Sequence, residues 1–183
     1  MRNLKWVSIS VVLLACGASQ KDAAAPVAAA MHGPAAVAAL EPRSGSQVTG
    51  TAEFSDGGDG SVEVTIRVAN AAPGKHGVHL HENGDCSAPD AASAGGHFNP
   101  EHANHGGPEA PPHHAGDLGN LDVGADGTGT LTAKTKDLAL TDGPHVVVGH
   151  AVVVHEKQDD LTSQPAGASG ARVACGVVQA APK

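Results

Sequence analysis

Seven side chains that can bind a metal ion follow one another along this chain. They are His79, His81, His97, His105, His114, Asp117 and His155. The set offers more nitrogen atoms than one tetrahedral ion can use. If the fold brings these distant segments together, their ligands can converge. The set also divides into one site that could support redox chemistry and one structural site.

The remaining sequence favours strands over helices. At 183 residues the chain is long enough for one domain with its own core. Beyond the N-terminal segment its only aromatic residues are Phe54 and Phe98, so the core must be built mainly from Val, Ala and Leu. The 24 glycines and 12 prolines, together with short Val/Thr runs, are typical of many strands joined by long loops.

Alternation of apolar and polar residues predicts individual strands. In residues 62–68, valine and isoleucine alternate with polar residues, as in a half-buried strand. Further strands are predicted at 47–54, 76–82, 118–123, 127–135, 150–155 and 172–179. Two long loops, 83–117 and 156–171, separate some of them, and long loops are usually functional or disordered. We therefore expect an all-β fold, a Greek-key β-sandwich or flattened eight-stranded barrel with two long functional loops.

The N-terminus has the features of an export signal. Residues 1–15 contain a basic start and an apolar run that is too short to span a bilayer. The sequence Leu13-Leu14-Ala15-Cys16 resembles a bacterial lipobox, which would make Cys16 the lipidated first residue of the mature chain. The alternative is an ordinary cleaved signal, with Cys16 removed or left near the new end. We expect an exported protein of the periplasm or cell envelope, anchored to a membrane through Cys16.

The rest of the chain divides into a tether and a folded domain. Residues 16–34 are rich in Ala and Pro and predict a flexible tether, and residues 35–183 predict the domain. Assigning Cys16 to a lipid leaves Cys86 and Cys175, and a pair in an exported protein is most simply a disulfide. The formal charge of −8 provides no basic stripe, so we expect no nucleic-acid partner.

Four histidines can converge from strands and a loop. Residues two apart on a strand share a face, so His79 and His81 project together from one strand. His155 lies on the outer face of its strand, opposite the inward-pointing valines. His97 would come from the long loop. Four imidazole nitrogens suit Cu(II) in tetragonal geometry.

A second set lies within the loop. His97, His105, His114 and Asp117 provide three nitrogens and one oxygen, which suits tetrahedral zinc. His97 belongs to both sets, because a deprotonated imidazole has two nitrogens and can bridge two cations. His113 competes with His114, although the His-x-Gly-Asp spacing favours His114.

The other histidines have no predicted metal role. His76 is expected to be a structural strand histidine, and His102 is expected to be exposed to solvent. A surface position is expected for His32, His145 and His150.

The motifs around these residues resemble those of the copper,zinc superoxide dismutases. They are His76-Gly77-Val78-His79-Leu80-His81, Gly95-Gly96-His97-Phe98-Asn99-Pro100, His105-Gly106-Gly107-Pro108, His114-Ala115-Gly116-Asp117-Leu118-Gly119-Asn120, Val154-His155-Glu156-Lys157, Asp159-Asp160-Leu161 and Arg172-Val173-Ala174-Cys175-Gly176-Val177. The likeness covers residues 35–179 in order, and every metal-ligand position carries the expected residue type. The early position of Cys86 and the short loop 156–171 resemble bacterial members.

The resemblance implies an oxidoreductase that converts superoxide into O2 and hydrogen peroxide, protecting the cell envelope from oxidative damage. Each subunit would hold one copper and one zinc ion. Copper would be bound by His79, His81, His97 and His155, and zinc by His97, His105, His114 and Asp117. As a monomer or homodimer, the protein would have superoxide as its small-molecule partner.

The resemblance also assigns supporting residues. Asp159 would join His79 and His105 through their non-ligating nitrogens and fix both rings. The alternative for Asp159 is an ordinary solvated charge. The Cys86–Cys175 disulfide would tie the metal loop to the last strand.

Two residues would act on the substrate. Arg172 would guide the superoxide anion and dock it beside copper. His97 would leave copper as the metal is reduced, take up a proton, and pass it to the second superoxide. Two other hypotheses remain: a non-catalytic relative that binds or buffers metal on the same scaffold, and an immunoglobulin-like adhesion module. The second does not explain seven placed ligands.

Overall fold

The computed structural model describes residues 35–182, which form an antiparallel β-barrel. Its strands are β1 (Ala36–Pro42), β2 (Thr49–Asp56), β3 (Val62–Ala69), β4 (Gly74–His81), β5 (Asp117–Val123), β6 (Gly129–Thr135), β7 (Ala151–His155), β8 (Arg172–Val177) and β9 (Gln179–Ala180). Within these residues, no helix is long and apolar enough to cross a membrane. The predicted signal peptide, the tether and Cys16 lie outside the described range and stay predictions.

Strand order identifies the barrel as a Greek key. The strands follow the order β2-β3-β6-β5-β4-β7-β8-β1-β9, and an additional pairing of β1 with β2 closes the sheet. The chain therefore passes over two strands between β3 and β4 and again between β6 and β7, as Greek-key connections require. The predicted all-β Greek-key fold with eight main strands is confirmed, and the short β9 extends it.

The predicted strand limits differ from the observed ones by a few residues. Strand β1 did not figure among the individually predicted strands, because the Ala-rich segment 36–40 has only a weak β-branched signal. The predicted strand 172–179 is divided into β8 and β9. A third long connection, residues 136–150, joins β6 to β7 in addition to the two predicted loops.

The barrel interior is apolar, as the alternating pattern predicts. The apolar residues of β3 are buried while Glu63 and Arg67 between them face solvent. Phe54 is completely buried, and the rest of the core consists mainly of Val, Ala and Leu side chains. A valine-rich barrel of this kind provides rigid strands from which other side chains can project.

Strands β4 and β7 carry the functional histidines and are buried on both faces. Val78 and Leu80 of β4 point into the core, and their strand pairs with both β5 and β7. His79 and His81 point the opposite way and are still less than 2 % exposed, because the long loops cover that face. The period-two prediction for β4 therefore matches the structure.

A disulfide fixes the first long loop to the barrel. Cys86 is bonded to Cys175 on β8, with their Cα atoms 5.8 Å apart, so the predicted pairing is confirmed. A small second core surrounds the bond and includes Ala91, Ala94 and Val153. The start of the loop therefore cannot separate from β8.

Replacing both cysteines should destabilise the fold. The Cys86→Ser/Cys175→Ser variant releases a closed loop with a sequence separation of 89 residues. The chain-entropy model then predicts a loss of about 4.6 kcal/mol in the free energy of unfolding. Urea denaturation of the metal-free protein measures this loss, with Ser87→Ala as a neighbouring control. Equal stability of the double variant and the wild type would contradict the prediction.

Candidate metal centre

The four histidines of the predicted copper set lie together. His79 and His81 project from β4, His155 ends β7, and His97 comes from the loop, where it forms an isolated antiparallel bridge with His81. Their ring centroids are 3.8–6.3 Å apart. One ligand atom from each lies within 4.8 Å of those from the other three. The strands and the loop thus bring all four imidazoles to one point.

Each of these histidines has one ring nitrogen without a hydrogen-bond partner. The unpartnered atoms are His79 Nδ1, His81 Nε2, His97 Nε2 and His155 Nε2, and all are buried among the described residues. A buried polar atom that makes no hydrogen bond is costly. The donor set therefore fits a copper ion, which four imidazole nitrogens suit.

The opposite nitrogens of three of these rings are fixed by acceptors. His81 Nδ1 lies 3.0 Å from Gly95 O, and His155 Nδ1 lies 3.3 Å from Gly170 O. His79 Nε2 lies 2.7 Å from the Asp159 carboxylate. Because carbonyl and carboxylate oxygens accept, these nitrogens carry the protons, and the unpartnered nitrogens carry lone pairs.

Burial keeps these rings neutral. Burial holds the pKa of His79 and the pKa of His81 well below the ordinary histidine value, and the neighbouring His97 lowers both further. Burial also lowers the pKa of His155 to about 4. Neutral imidazoles are the form that binds metal, so the centre is ready for a cation at neutral pH.

The predicted zinc set surrounds the Asp117 carboxylate. His97 Nδ1 lies 2.8 Å and His105 Nδ1 lies 3.0 Å from Asp117 Oδ1. His114 Nδ1 lies 3.5 Å from the same oxygen and 3.3 Å from His97 Nδ1. Three nitrogens and one carboxylate oxygen suit tetrahedral zinc.

The two sets share His97. Its Nδ1 faces Asp117, and its Nε2 is one of the unpartnered nitrogens. The two nitrogens of one ring thus point into different clusters. This is the arrangement that a bridging imidazole requires.

His114 lies at the margin of the second cluster. The ligand atoms that lie within 4.8 Å of one another there come from His97, His105, Asp117 and also His79. His79 is fixed by Asp159, however, and its free nitrogen is Nδ1. His113 instead lies 3.8 Å from Asp137, so the geometry favours His114 over His113.

Asp117 is held as an anion. Burial alone would raise the pKa of Asp117, but bonds from His97 and from the N–H groups of Gly106 and His114 hold that pKa below its ordinary value. Both backbone bonds go to Oδ2, leaving Oδ1 toward the imidazoles. The carboxylate is therefore oriented before any cation binds.

Asp159 connects the two clusters. Its Oδ2 accepts from His79 Nε2 at 2.7 Å, and its Oδ1 lies 3.0 Å from His105 Nε2. Its side chain is completely buried, which excludes the solvated-charge alternative. Asn120 bonds both the N–H and the carbonyl of Asp159 and holds its backbone in place.

Gly167 leaves room for this carboxylate. A Cβ atom at Gly167 would overlap Asp159 Oδ1 and would lie 2.8 Å from His105 Nε2. The residue also has φ +64°, a left-handed conformation that favours glycine. A larger residue here would displace the bridge between the clusters.

Arg172 lies at the mouth of the first cluster. It is the β8 partner of His155 and lines a pocket of about 520 Å³ together with His81, His97 and His155. Its guanidinium donates to Ala91 O and Gly95 O, both at 2.7 Å. Three of its five N–H groups remain for an anion. Burial lowers the pKa of Arg172, with Asp90 opposing that shift, and an arginine stays charged under such conditions.

Histidines outside the two sets have structural or surface positions. His76 is buried, with Nδ1 2.8 Å from His155 O and Nε2 2.7 Å from Ala72 O, which matches the structural role predicted for it. His102 is exposed, as predicted. His145 and His150 are partly buried and make hydrogen bonds to carbonyl oxygens. His32 lies outside the described residues.

Several contributors to the site were not predicted. Asn120 lies in a motif that the resemblance contains, but no role was assigned to it. Gln164 and Gly167 lie in a loop without periodic signal, and the carbonyls of Gly95 and Gly170 act through backbone. The glycines in loop 156–171 are consistent with a backbone that approaches another group closely, but they do not identify that group.

Replacing Asp159 should weaken metal binding. The Asp159→Asn variant retains only one acceptor oxygen for two imidazole N–H groups, so one of the two rings loses its anchor. We expect the zinc affinity to fall by about 10- to 100-fold, as for other groups that orient ligands. Chelator competition measures this affinity, with Asp122→Asn, an exposed residue paired with Lys75, as the matched control. An affinity equal to the wild type would contradict the bridging function.

Comparison with known proteins agrees with this geometry. Residues 48–178 match the model of the copper/zinc superoxide dismutase family. The crystal structure of the clock protein EA4 superposes with a TM-score of 0.73 at 38% sequence identity, covering 82% of this chain and 97% of that chain. The family binds copper and zinc, and both clusters could hold metal ions. The chain therefore belongs to the copper/zinc superoxide dismutase family, as its motifs predicted.

Proposed function

We propose that this protein is an exported superoxide dismutase that protects the cell envelope, using a copper–zinc centre bridged by His97. The observation that supports this proposal most directly is the convergence of four buried imidazoles beside Arg172, each with an unpartnered nitrogen. Family membership supplies the reaction, the conversion of superoxide into O2 and hydrogen peroxide.

The copper ligands in this proposal are His79, His81, His97 and His155. Copper held by these four residues would supply one-electron redox chemistry, so that one superoxide would be oxidised to O2 and the next, with two protons, would be reduced to hydrogen peroxide. The contribution of the chain is to keep His79, His81 and His155 neutral and to orient their rings. The burial of these three rings and the acceptors that fix their tautomers support this assignment.

Arg172 and His97 act on the substrate. Arg172 lines the pocket with three of the copper ligands and has N–H groups that Ala91 and Gly95 do not use, so it can attract and orient a superoxide anion there. His97 Nε2 can take up a proton when it is not bound to metal and can deliver that proton to the forming peroxide. Its Nδ1 meanwhile stays in the second cluster, 2.8 Å from Asp117.

The zinc ligands in this proposal are His97, His105, His114 and Asp117. Zinc does not change its oxidation state, so this half of the centre has a structural function. It orients His97 and orders the loop that carries three of the ligands. The anionic, pre-oriented Asp117 carboxylate supports the assignment.

Superoxide decay tests the catalytic proposal. The purified protein loaded with copper and zinc should consume superoxide with kcat/KM approaching the diffusional range, on the order of 10⁸ M⁻¹s⁻¹. His155→Ala should abolish this activity, because it removes one of the four converging nitrogens. His145→Ala, a partly buried histidine outside the site, should retain it.

The same measurement distinguishes a superoxide dismutase from a relative that only binds metal. If copper is bound by the wild type and superoxide decays at the uncatalysed rate, the proposed dismutase function is wrong. The protein would then be a carrier or buffer of metal on the same scaffold.

The export part of the proposal rests on residues 1–16 and on the Cys86–Cys175 disulfide, since disulfides persist in oxidising compartments.

Cell fractionation tests the proposed membrane anchoring. The full-length chain should be found in the membrane fraction of the envelope, and Cys16→Ala should lose that association because no lipid can be attached. The same distribution for both proteins would contradict lipid anchoring.

A further inference from the structure

Gln164 joins the two long loops through the backbone of His105. Its Oε1 accepts from the His105 N–H at 2.8 Å, and its Nε2 donates to the His105 carbonyl at 2.8 Å. The side-chain amide of Gln164 thus makes the two hydrogen bonds that a residue of a neighbouring antiparallel strand would make to His105. The two residues are 59 positions apart in sequence, so the contact is a tertiary one.

The turn that presents Gln164 is closed by its own bonds. The Asp160 carboxylate accepts from the N–H groups of Thr162 and Ser163 at 2.9 and 2.8 Å. The Gly167 N–H donates to Ser163 O at 2.7 Å, and the Asp160 N–H donates to Gly167 O at 2.9 Å. The position of Gln164 is therefore set by loop 156–171 itself.

The same loop also holds the His105 ring. Asp159 Oδ1 lies 3.0 Å from His105 Nε2, while Gln164 holds the backbone of that residue. Only the ring Nδ1 is left for a cation, 3.0 Å from Asp117 Oδ1. His105 is thus fixed at its backbone and at one side of its ring by neighbouring residues of one loop.

We propose that Gln164 is a positioning residue for His105, and that it makes zinc retention depend on loop 156–171. The inference rests on the zinc ligands of the proposed function. Gln164 and Pro165 also line the pocket of Arg172, together with three of the four copper ligands. The contact therefore connects one wall of the anion pocket to the zinc half of the centre.

Zinc release to a chromogenic chelator tests this inference on the copper- and zinc-loaded protein. Gln164→Leu removes both bonds to His105 with little change in size. Zinc affinity should fall by about tenfold, equivalent to about 1.4 kcal/mol, which lies within the range of two hydrogen bonds. The visible spectrum of bound copper should be unchanged. The control is Thr162→Ala, whose hydroxyl bonds only within the loop, and it should match the wild type.

A conservative variant separates positioning from general destabilisation. Gln164→Glu retains the acceptor for the His105 N–H, but its ionised form presents a negative oxygen to the His105 carbonyl. The zinc affinity of Gln164→Glu at neutral pH should therefore fall at least as far as that of Gln164→Leu, although Glu fills almost the same space as Gln. A zinc affinity equal to that of the wild type would contradict the positioning role.

The outcomes distinguish this inference from the proposed function. A wild type that retains zinc, together with a Gln164→Leu variant that retains it equally well, would overturn the inference and leave the dismutase proposal intact. A wild type that binds no zinc would overturn the zinc assignment and the inference together.

Discussion

The Asp159 carboxylate, which is completely buried between two imidazoles, is the interaction on which the centre depends. A buried charge is tolerated only when donors surround it. Here His79 Nε2, His105 Nε2 and the Leu161 N–H all meet it within 3.0 Å. Because His79 belongs to one cluster and His105 to the other, this carboxylate connects the two clusters and supports the connection made by His97, which belongs to both.

The barrel strands and the loops position different ligands of the centre. Strands β4 and β7 are packed on both faces and give His79, His81 and His155 rigid origins. Asp117 begins β5, but His97, His105 and His114 lie in a loop that needs separate fixation. This fixation comes from the Cys86–Cys175 disulfide and from the contacts of loop 156–171. Precise ligand placement is what metal selectivity and fast electron transfer require of a protein scaffold.

The sequence predicted the strand-borne part of the site from physical rules. Period-two alternation places His79 and His81 on one face, and the structure agrees because that face is opposite a valine-rich core. The position of Asp159 followed only from the resemblance to a family. Neither the periodicity of the sequence nor the family resemblance predicted the roles of Gln164 and Gly167. These roles arise from tertiary contacts in an irregular loop, where no period relates residue type to position.

One imidazole, that of His97, is proposed to belong to two metal sites. Anomalous diffraction at the copper and zinc absorption edges, from crystals of the oxidised metal-loaded protein, can locate each ion relative to this ring. We expect two separate peaks, with copper on His97 Nε2 and zinc on His97 Nδ1. A single mixed peak, or a His97 ring that contacts only one of the two ions, would contradict the proposal.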